Sequence, residues 1–368
     1  MERARLPVEV KTHFKILGLE LSISGPAECI DPVSFAYRAF VCDRPSRAAA
    51  WVAWGDDGVE TDRGNFPAVA GLAAPVQFYP RFLDRLYDGI GDFALIHAAV
   101  VVRAGEAVLL AAPSGHGKST LALELARRGW TLFSDDFAPI GMDTGTVFPF
   151  PRAVGIVPGS PATPRPFAEA AAISTHEVFG KRLVDASAVA DTATLSTAPA
   201  RVSHVFLLEG DLLPTPRLEL SCPRSEAQRL EQRLAAVRGL RIAERISQGS
   251  LDAISIESEQ GSHVTEELNR IALDPAVVFS VKRWSRRATW DGGAACTPVS
   301  RRETAQQLAR ELLNRRPGGR LMDRYGGDTV SLVVDLAATL RSARCWRVEP
   351  GALGLTADKI EEAAAVGP

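Results

Sequence analysis

The sequence predicts an α/β fold, and three observations predict it. Two apolar strand-like segments, ALIHAAVVV (94–102) and EAVLLAA (106–112), run into a glycine-rich turn, a helix-patterned STLALELARR (119–128) and a short strand WTLFS (130–134). Strand, turn, helix and strand in that order make a βαβ unit, whose two strands are expected to be parallel. Strand-like and helix-like stretches go on alternating through the rest of the chain. The composition of the 368 residues, 46% hydrophobic and 23% charged, belongs to a folded globular chain and argues against disorder, collagen-like repeats and coiled coil. At about 150 residues per domain the length admits two domains or one large one. The expected division is a small β-rich N-terminal domain over 1–92 and a larger domain over 93–368.

In the first part, HFKILGLELSIS (13–24) and AAAWVAWG (48–55) carry strand-forming residues, with turn clusters at Gly25-Pro26 and Asp56-Asp57-Gly58. FYPRFLDRLYDGIGD (78–92) sets Phe82, Leu83, Leu86 and Tyr87 at helical spacing before a glycine break. A small sheet closed by one helix is expected there, without a catalytic motif. Beyond residue 93, Ala104-Gly105 is a natural two-residue hairpin turn, so paired residues on its strands sum to 209 and His97 falls opposite Ala112. Leu121 and Leu125 share one helix face, and Gly129 is a C-terminal stop. Further on, ARVSHVFLLEGD (200–211) reads as a buried strand, 225–239, 301–316 and 329–343 as helices, and CWRVEP (345–350) as a last strand. The proline-rich 158–166 reads as a loop, and 240–300 reads ambiguously.

A net charge of −2 gives no general reason to expect nucleic acid or an anionic membrane as partner. The short mixed patch KRWSRR (282–287) reads as surface. The five cysteines, Cys29, Cys42, Cys222, Cys296 and Cys345, are odd in number and widely spaced, which argues against a disulfide scaffold or a structural zinc site. No apolar run is long enough to span a bilayer, and the N-terminal residues lack the pattern of a secretory signal. A cytoplasmic protein is expected.

The sharpest pattern is Ala112-Pro113-Ser114-Gly115-His116-Gly117-Lys118-Ser119-Thr120. It fits the phosphate-loop pattern G-x-x-x-x-G-K-[ST] everywhere except its first position, where Ala112 replaces glycine. Gly115 and Gly117 let the backbone curl until successive N–H groups converge on phosphate oxygens, and the helix opened at Ser119 adds its free N–H groups and dipole. Ser114 to Thr120 are therefore the expected nucleotide-binding residues. Lys118 is expected to reach the β- and γ-phosphates of ATP and Ser119 to ligate Mg²⁺. The alternative is a glycine-rich turn that binds nothing.

Asp135 and Asp136 end the strand after the loop helix, at the edge where parallel α/β sheets meet their ligands. Adjacent strand residues point to opposite faces, so one carboxylate is expected as the base for an attacking hydroxyl and the other at the metal or its water shell, with Asp136 as base and Asp135 at the metal or the reverse. The alternative is a solvated strand-end turn. His97 either borders the same crevice or is satisfied within the sheet. Arg152 in FPFPRAVGI and Lys181 in FGKRL are candidates to neutralise phosphoryl charge, or are merely solvated.

Taken together, residues 96–136 resemble the nucleotide-binding segment of the HPr kinase/phosphorylase-like P-loop kinases. There an apolar strand with a histidine precedes the phosphate loop, an Arg-Gly (here Arg128-Gly129) ends the helix, and an Asp-Asp pair ends the next strand. Arg152-Ala153-Val154-Gly155-Ile156 loosely matches the arginine segment near the phosphates in that family. The resemblance implies a P-loop kinase core of the HPr kinase type and ATP with Mg²⁺ as cofactors. It also implies a serine of a protein or biosynthetic peptide as acceptor, and a family that commonly forms homo-oligomers. Ala98 follows His97 where HPr kinases carry glycine. A small-molecule kinase and a non-catalytic ATP-binding regulatory or assembly module are the alternative functions. No LSGGQ-like transporter signature or NKxD-like guanine-reading element is present.

Overall fold

The computed structural model describes residues 9–43, 50–160, 162–189, 198–209, 211–248, 251–258, 267–268, 270–271, 280–287 and 290–365. The chain is mixed α/β. Its central feature is a nine-stranded sheet whose main path runs Phe93–Ile96, Ala138–Gly141, Thr146–Val147, Ala200–Leu208, Glu106–Ala111, Ala98–Arg103, Thr131–Ser134. Strand Arg344–Glu349 pairs in parallel with Ala200–Leu208 and carries Ala295–Pro298 on its outer edge. Both faces of this sheet are buried. Ala98, Val100 and Val102 point into one apolar cluster with Leu308, Leu332 and Leu336, whereas Ala99 and Val101 point into another with Leu121, Leu125, Ala357 and Ile360. Period-two alternation between two buried faces is why the segment is apolar at every position.

The hairpin register is as the sum of 209 requires, from Ala98↔Ala111 to Arg103↔Glu106. Its turn residues, Ala104 and Gly105, have φ of +52° and +80°, the double left-handed conformation whose twist suits a two-residue hairpin. The apolar segment 94–102, however, is two strands. It breaks at His97, where the chain leaves the ladder with Ala138–Gly141 and joins the one with Glu106–Ala111. The ladder stops one step short of a His97–Ala112 pair because the His97 N–H goes instead to the Glu311 carbonyl at 2.8 Å. Strands Glu106–Ala111 and Thr131–Ser134 run in the same direction but are not neighbours. Ala98–Arg103 lies between them, antiparallel to both.

In the first part of the chain, residues 13–24 span most of a hairpin, Glu9–Ile16 with Leu19–Pro26, inside a five-stranded sheet. Two helices pack on that sheet, Ala27–Ala36 and Ala74–Gly89, the first of which the sequence reading did not anticipate. The apolar cluster built on Phe14, Tyr37, Phe78 and Phe82 also contains Leu95, Phe137, Phe150, Ala153 and Leu183, so it runs across residue 92. The ambiguous 240–300 holds strands Leu240–Gln248, Leu251–Ser258 and Ser280–Arg287 of a four-stranded sheet, and Ala295–Pro298 of the large one. Residues 282–287 thus lie on a strand. The proline-rich loop gives way to helix Arg165–Ile173, and helix Leu353–Ala365 follows the strand expected to be the last. No helix among the described residues is long and apolar enough to cross a membrane.

Candidate active site

Strand directions bring the candidate residues to one edge of the large sheet. Glu106–Ala111 delivers the glycine loop there, Thr131–Ser134 delivers Asp135-Asp136, and the oppositely running Ala98–Arg103 starts there just after His97. The loop leads into helix Lys118–Arg127 through Gly115 and Gly117, at φ +85° and +82°. Around Gly115 an added Cβ would meet nothing within 4 Å, so only the left-handed backbone selects glycine there. At Gly117 a Cβ would also lie 2.1 Å from Trp290 Cζ2. Ser114 is exposed, with its carbonyl 3.3 Å from His116 Nδ1. Ser119 and Thr120 lie half-buried in the first helical turn. The Ser119 hydroxyl donates to the Asp135 carbonyl at 3.3 Å, tying helix start to strand end.

Lys118 is 5% exposed, and its ammonium donates to the Ala112 and Pro113 carbonyls at 2.7 and 3.2 Å. Burial lowers its pKa to about 8, against the raising influence of Asp136 and Glu311.

The two aspartates differ. The Ser134 hydroxyl accepts from the Asp136 and Phe137 N–H groups at 3.3 and 2.9 Å, which fixes the turn. Asp135 is buried, and burial holds its carboxyl above the usual range despite Arg152. Its Oδ1 has no hydrogen-bond partner and lies 3.6 Å from Arg152 Nε. Asp136 keeps a third of its side chain exposed, with Oδ1 2.9 Å from His97 Nε2 and Oδ2 3.5 Å from Arg152 Nη2. Burial would raise its pKa, but the His97 hydrogen bond and the Arg152 charge outweigh that and hold it below the usual range. The carboxylates therefore have separate surroundings and share one arginine.

The Arg152 guanidinium sits over the Phe137 ring, with Cζ 4.9 Å from its centroid. Burial works against its charge, the Asp135 and Asp136 carboxylates counter it, and the phenols of Tyr79 and Tyr37 lie close enough to feel it. Lys181 is exposed on its strand, where its stem crosses Gly155 (a Cβ there would lie 3.1 Å from Lys181 Cδ), and its charge acts on Asp135, Asp136 and Lys118. His97, expected at the crevice through a strand pair, reaches it through its side chain: Nε2 faces Asp136 and Nδ1 lies 3.2 Å from Glu311 Oε2.

Three contributors carried no sequence signal. Glu311 is the C-cap just after helix Arg301–Arg310, and nothing in an amphipathic helix marks the residue that follows it as a histidine partner. Tyr79 and Tyr87 come from helix Ala74–Gly89, where their spacing reads as core. Tyr87 stays protonated because burial, and next the Asp136 charge, push its pKa up. The sequence matches no protein-family model and no curated protein.

Proposed function

We propose that the chain is a cytoplasmic ATP-dependent kinase, with a P-loop core of the HPr kinase type, that transfers the γ-phosphate to a serine hydroxyl of a protein or peptide. The observation that carries this reading is one sheet edge holding both the glycine loop with Lys118 and the Asp136–His97–Arg152 cluster. The first can hold a polyphosphate, and the second can orient a hydroxyl and balance charge beside it. The five cysteines are unpaired thiols, which suits a reducing compartment.

Magnesium fits the donors at the site. Ser119 Oγ and the unpartnered Asp135 Oδ1 are hard oxygens, and no cluster of three or more His, Cys, Asp or Glu ligands exists among the described residues. Magnesium characteristically takes one or two protein oxygens and completes its shell with phosphate and water. Bound ATP with Mg²⁺ supplies the phosphoryl group and a counter-charge. The free backbone N–H groups at the start of helix Lys118–Arg127 and the Lys118 ammonium, which now donates to the Ala112 and Pro113 carbonyls, would hold the phosphates. Asp136 accepts the hydrogen bond of the attacking hydroxyl and takes its proton as the transfer completes. Its low proton affinity suits a loose phosphoryl-transfer transition state, in which orientation matters more than early deprotonation. Arg152 and Lys181 offset the accumulating negative charge.

The test is phosphoserine formation on a library of serine-bearing peptides, beside ATP affinity, for the wild type and Asp136→Asn. The variant is expected to keep most ATP affinity and lose about 10²–10⁴-fold in transfer rate. A wild type that does not bind ATP, or a variant transferring at the wild-type rate, overturns the reading.

A further inference from the structure

His97 sits between two carboxylates on different parts of the fold. Asp136 Oδ1 lies 2.9 Å from its Nε2 and Glu311 Oε2 lies 3.2 Å from its Nδ1. A neutral imidazole has one N–H, so one of these contacts would set a nitrogen lone pair against a carboxylate oxygen. With both nitrogens protonated, each contact is a charge-assisted hydrogen bond.

The Glu311 side of this arrangement is rigidly built. His97 N–H donates to the Glu311 carbonyl at 2.8 Å, Leu313 N–H donates to the Leu95 carbonyl at 2.9 Å, and Ile96 bridges Leu312. Asn314, fully buried, accepts from Leu95 N–H at 3.0 Å and donates to the Ile90 and Phe93 carbonyls at 3.0 and 2.9 Å. Residues 311–314 therefore latch onto the strand that ends at His97, and only 13% of the Glu311 side chain is exposed.

We propose that Glu311 is a positioning residue, which holds the His97 ring with Nε2–H aimed at Asp136 Oδ1 and so leaves Asp136 Oδ2 to face the acceptor hydroxyl. The role in transfer rests on the kinase reading above, whereas the state of the ring does not. The charged groups facing His97 are Asp136, after strand Thr131–Ser134, Glu311, after helix Arg301–Arg310, and Lys118, on the loop helix. Arg152 and Lys181 act on Asp136. Burial would lower the His97 pKa, and the hydrogen bonds to Asp136 and Glu311 outweigh burial and raise it. The ring therefore keeps its charge to a higher pH than a free imidazole and loses it as pH rises past that raised value. Removing the Glu311 charge moves that change to lower pH.

The experiment is an NMR titration of the His97 ring nitrogens in metal-free, nucleotide-free full-length protein, wild type and Glu311→Gln. In the wild type both nitrogens should be protonated at pH 7. In Glu311→Gln, which keeps the backbone hydrogen bond and nearly the same volume, the proton affinity of the ring should fall about tenfold, one pH unit. The high-pH limb of the phosphotransfer profile, measured at saturating ATP, should move down by the same amount. A neutral His97 ring in the wild type at pH 7 overturns the proposal whether or not the variant folds. So does a variant with the wild-type titration, or with a uniformly lower rate and an unshifted profile. Absence of ATP binding counts against the kinase reading alone, since the ring measurement involves no nucleotide.

Discussion

A lysine with 5% of its surface exposed keeps its charge only while something nearby wants it. For Lys118 burial is the larger influence, and it brings the pKa down from 10.5 to about 8. The ammonium is therefore present below about pH 8 and is lost as pH rises through that value, while a bound polyphosphate favours the charged form. Nucleotide affinity should accordingly be flat below pH 8 and weaken about tenfold per pH unit above it. Calorimetric titration with ADP in a chelator measures this without the metal. Lys118→Ala should bind weakly at every pH, without the break near 8. A break retained in that variant would assign the titration to another group. Among the carboxylates, Asp135 is the one held above its usual range, its Oδ1 has no hydrogen-bond partner, and its main-chain carbonyl accepts from the Ser119 hydroxyl. Asp135→Asn should therefore raise the magnesium concentration needed for half-maximal transfer, while Asp136→Asn should mainly lower the rate at saturating magnesium. Equal magnesium dependence in the two variants would mean that the carboxylates do not divide their roles.

At the scale of elements, the glycine loop is the part most completely specified by local chemistry. At Gly117 an L-residue at φ +82° costs about 1–2 kcal/mol, and its Cβ would overlap the Trp290 ring at 2.1 Å. Gly117→Ala should thus lower the thermal midpoint and weaken ADP binding. Adding Trp290→Ala should restore the part due to overlap and leave the part due to backbone, which a double-mutant cycle on midpoint and affinity would separate. Purely additive effects would place the ring elsewhere in solution. This loop, its helix, the strand ending in Asp135-Asp136 and the hairpin register were all legible because each depends on residues within a few positions of one another: turn glycines, helical spacing, a two-residue turn. The break at His97 was not legible. It depends on the Glu311 carbonyl, 214 residues away, competing for one N–H, and the apolar run 94–102 gives no sign of it. The phenols beside Arg152 were missed for a related reason: tyrosine on an amphipathic helix reads as core, and here it is core that also borders a guanidinium.

At the scale of the whole molecule, residues 149–153 join the first sheet and its helices to the large sheet. Phe150 is fully buried, with its ring 4.8 Å from Phe40, 5.0 Å from Phe137 and 6.2 Å from Tyr37. Its N–H donates to the Phe133 carbonyl at 3.0 Å, and the Ala153 N–H donates to the Ala36 carbonyl at 2.8 Å. Arg152 is fixed between those two anchors, so the N-terminal helices take part in aiming its guanidinium at Asp135 and Asp136. Phe150→Ala removes the ring at the centre of this junction and should cost about 3–5 kcal/mol of stability. Phe150→Leu, which keeps most of the volume, should cost less. Because one apolar cluster spans the junction, denaturant unfolding followed at Trp54 of the first sheet and at Trp130 beside the loop helix, in variants retaining only one of these tryptophans, should give coincident transitions in wild type and mutant. Two separated transitions in the wild type would show that the first sheet has a core of its own. Arg152 would then be held by the large sheet alone. If the junction is shared, Phe150→Leu should also lower the phosphotransfer rate with little change in ATP affinity, because the guanidinium it steadies lies beside the carboxylates and not in the glycine loop.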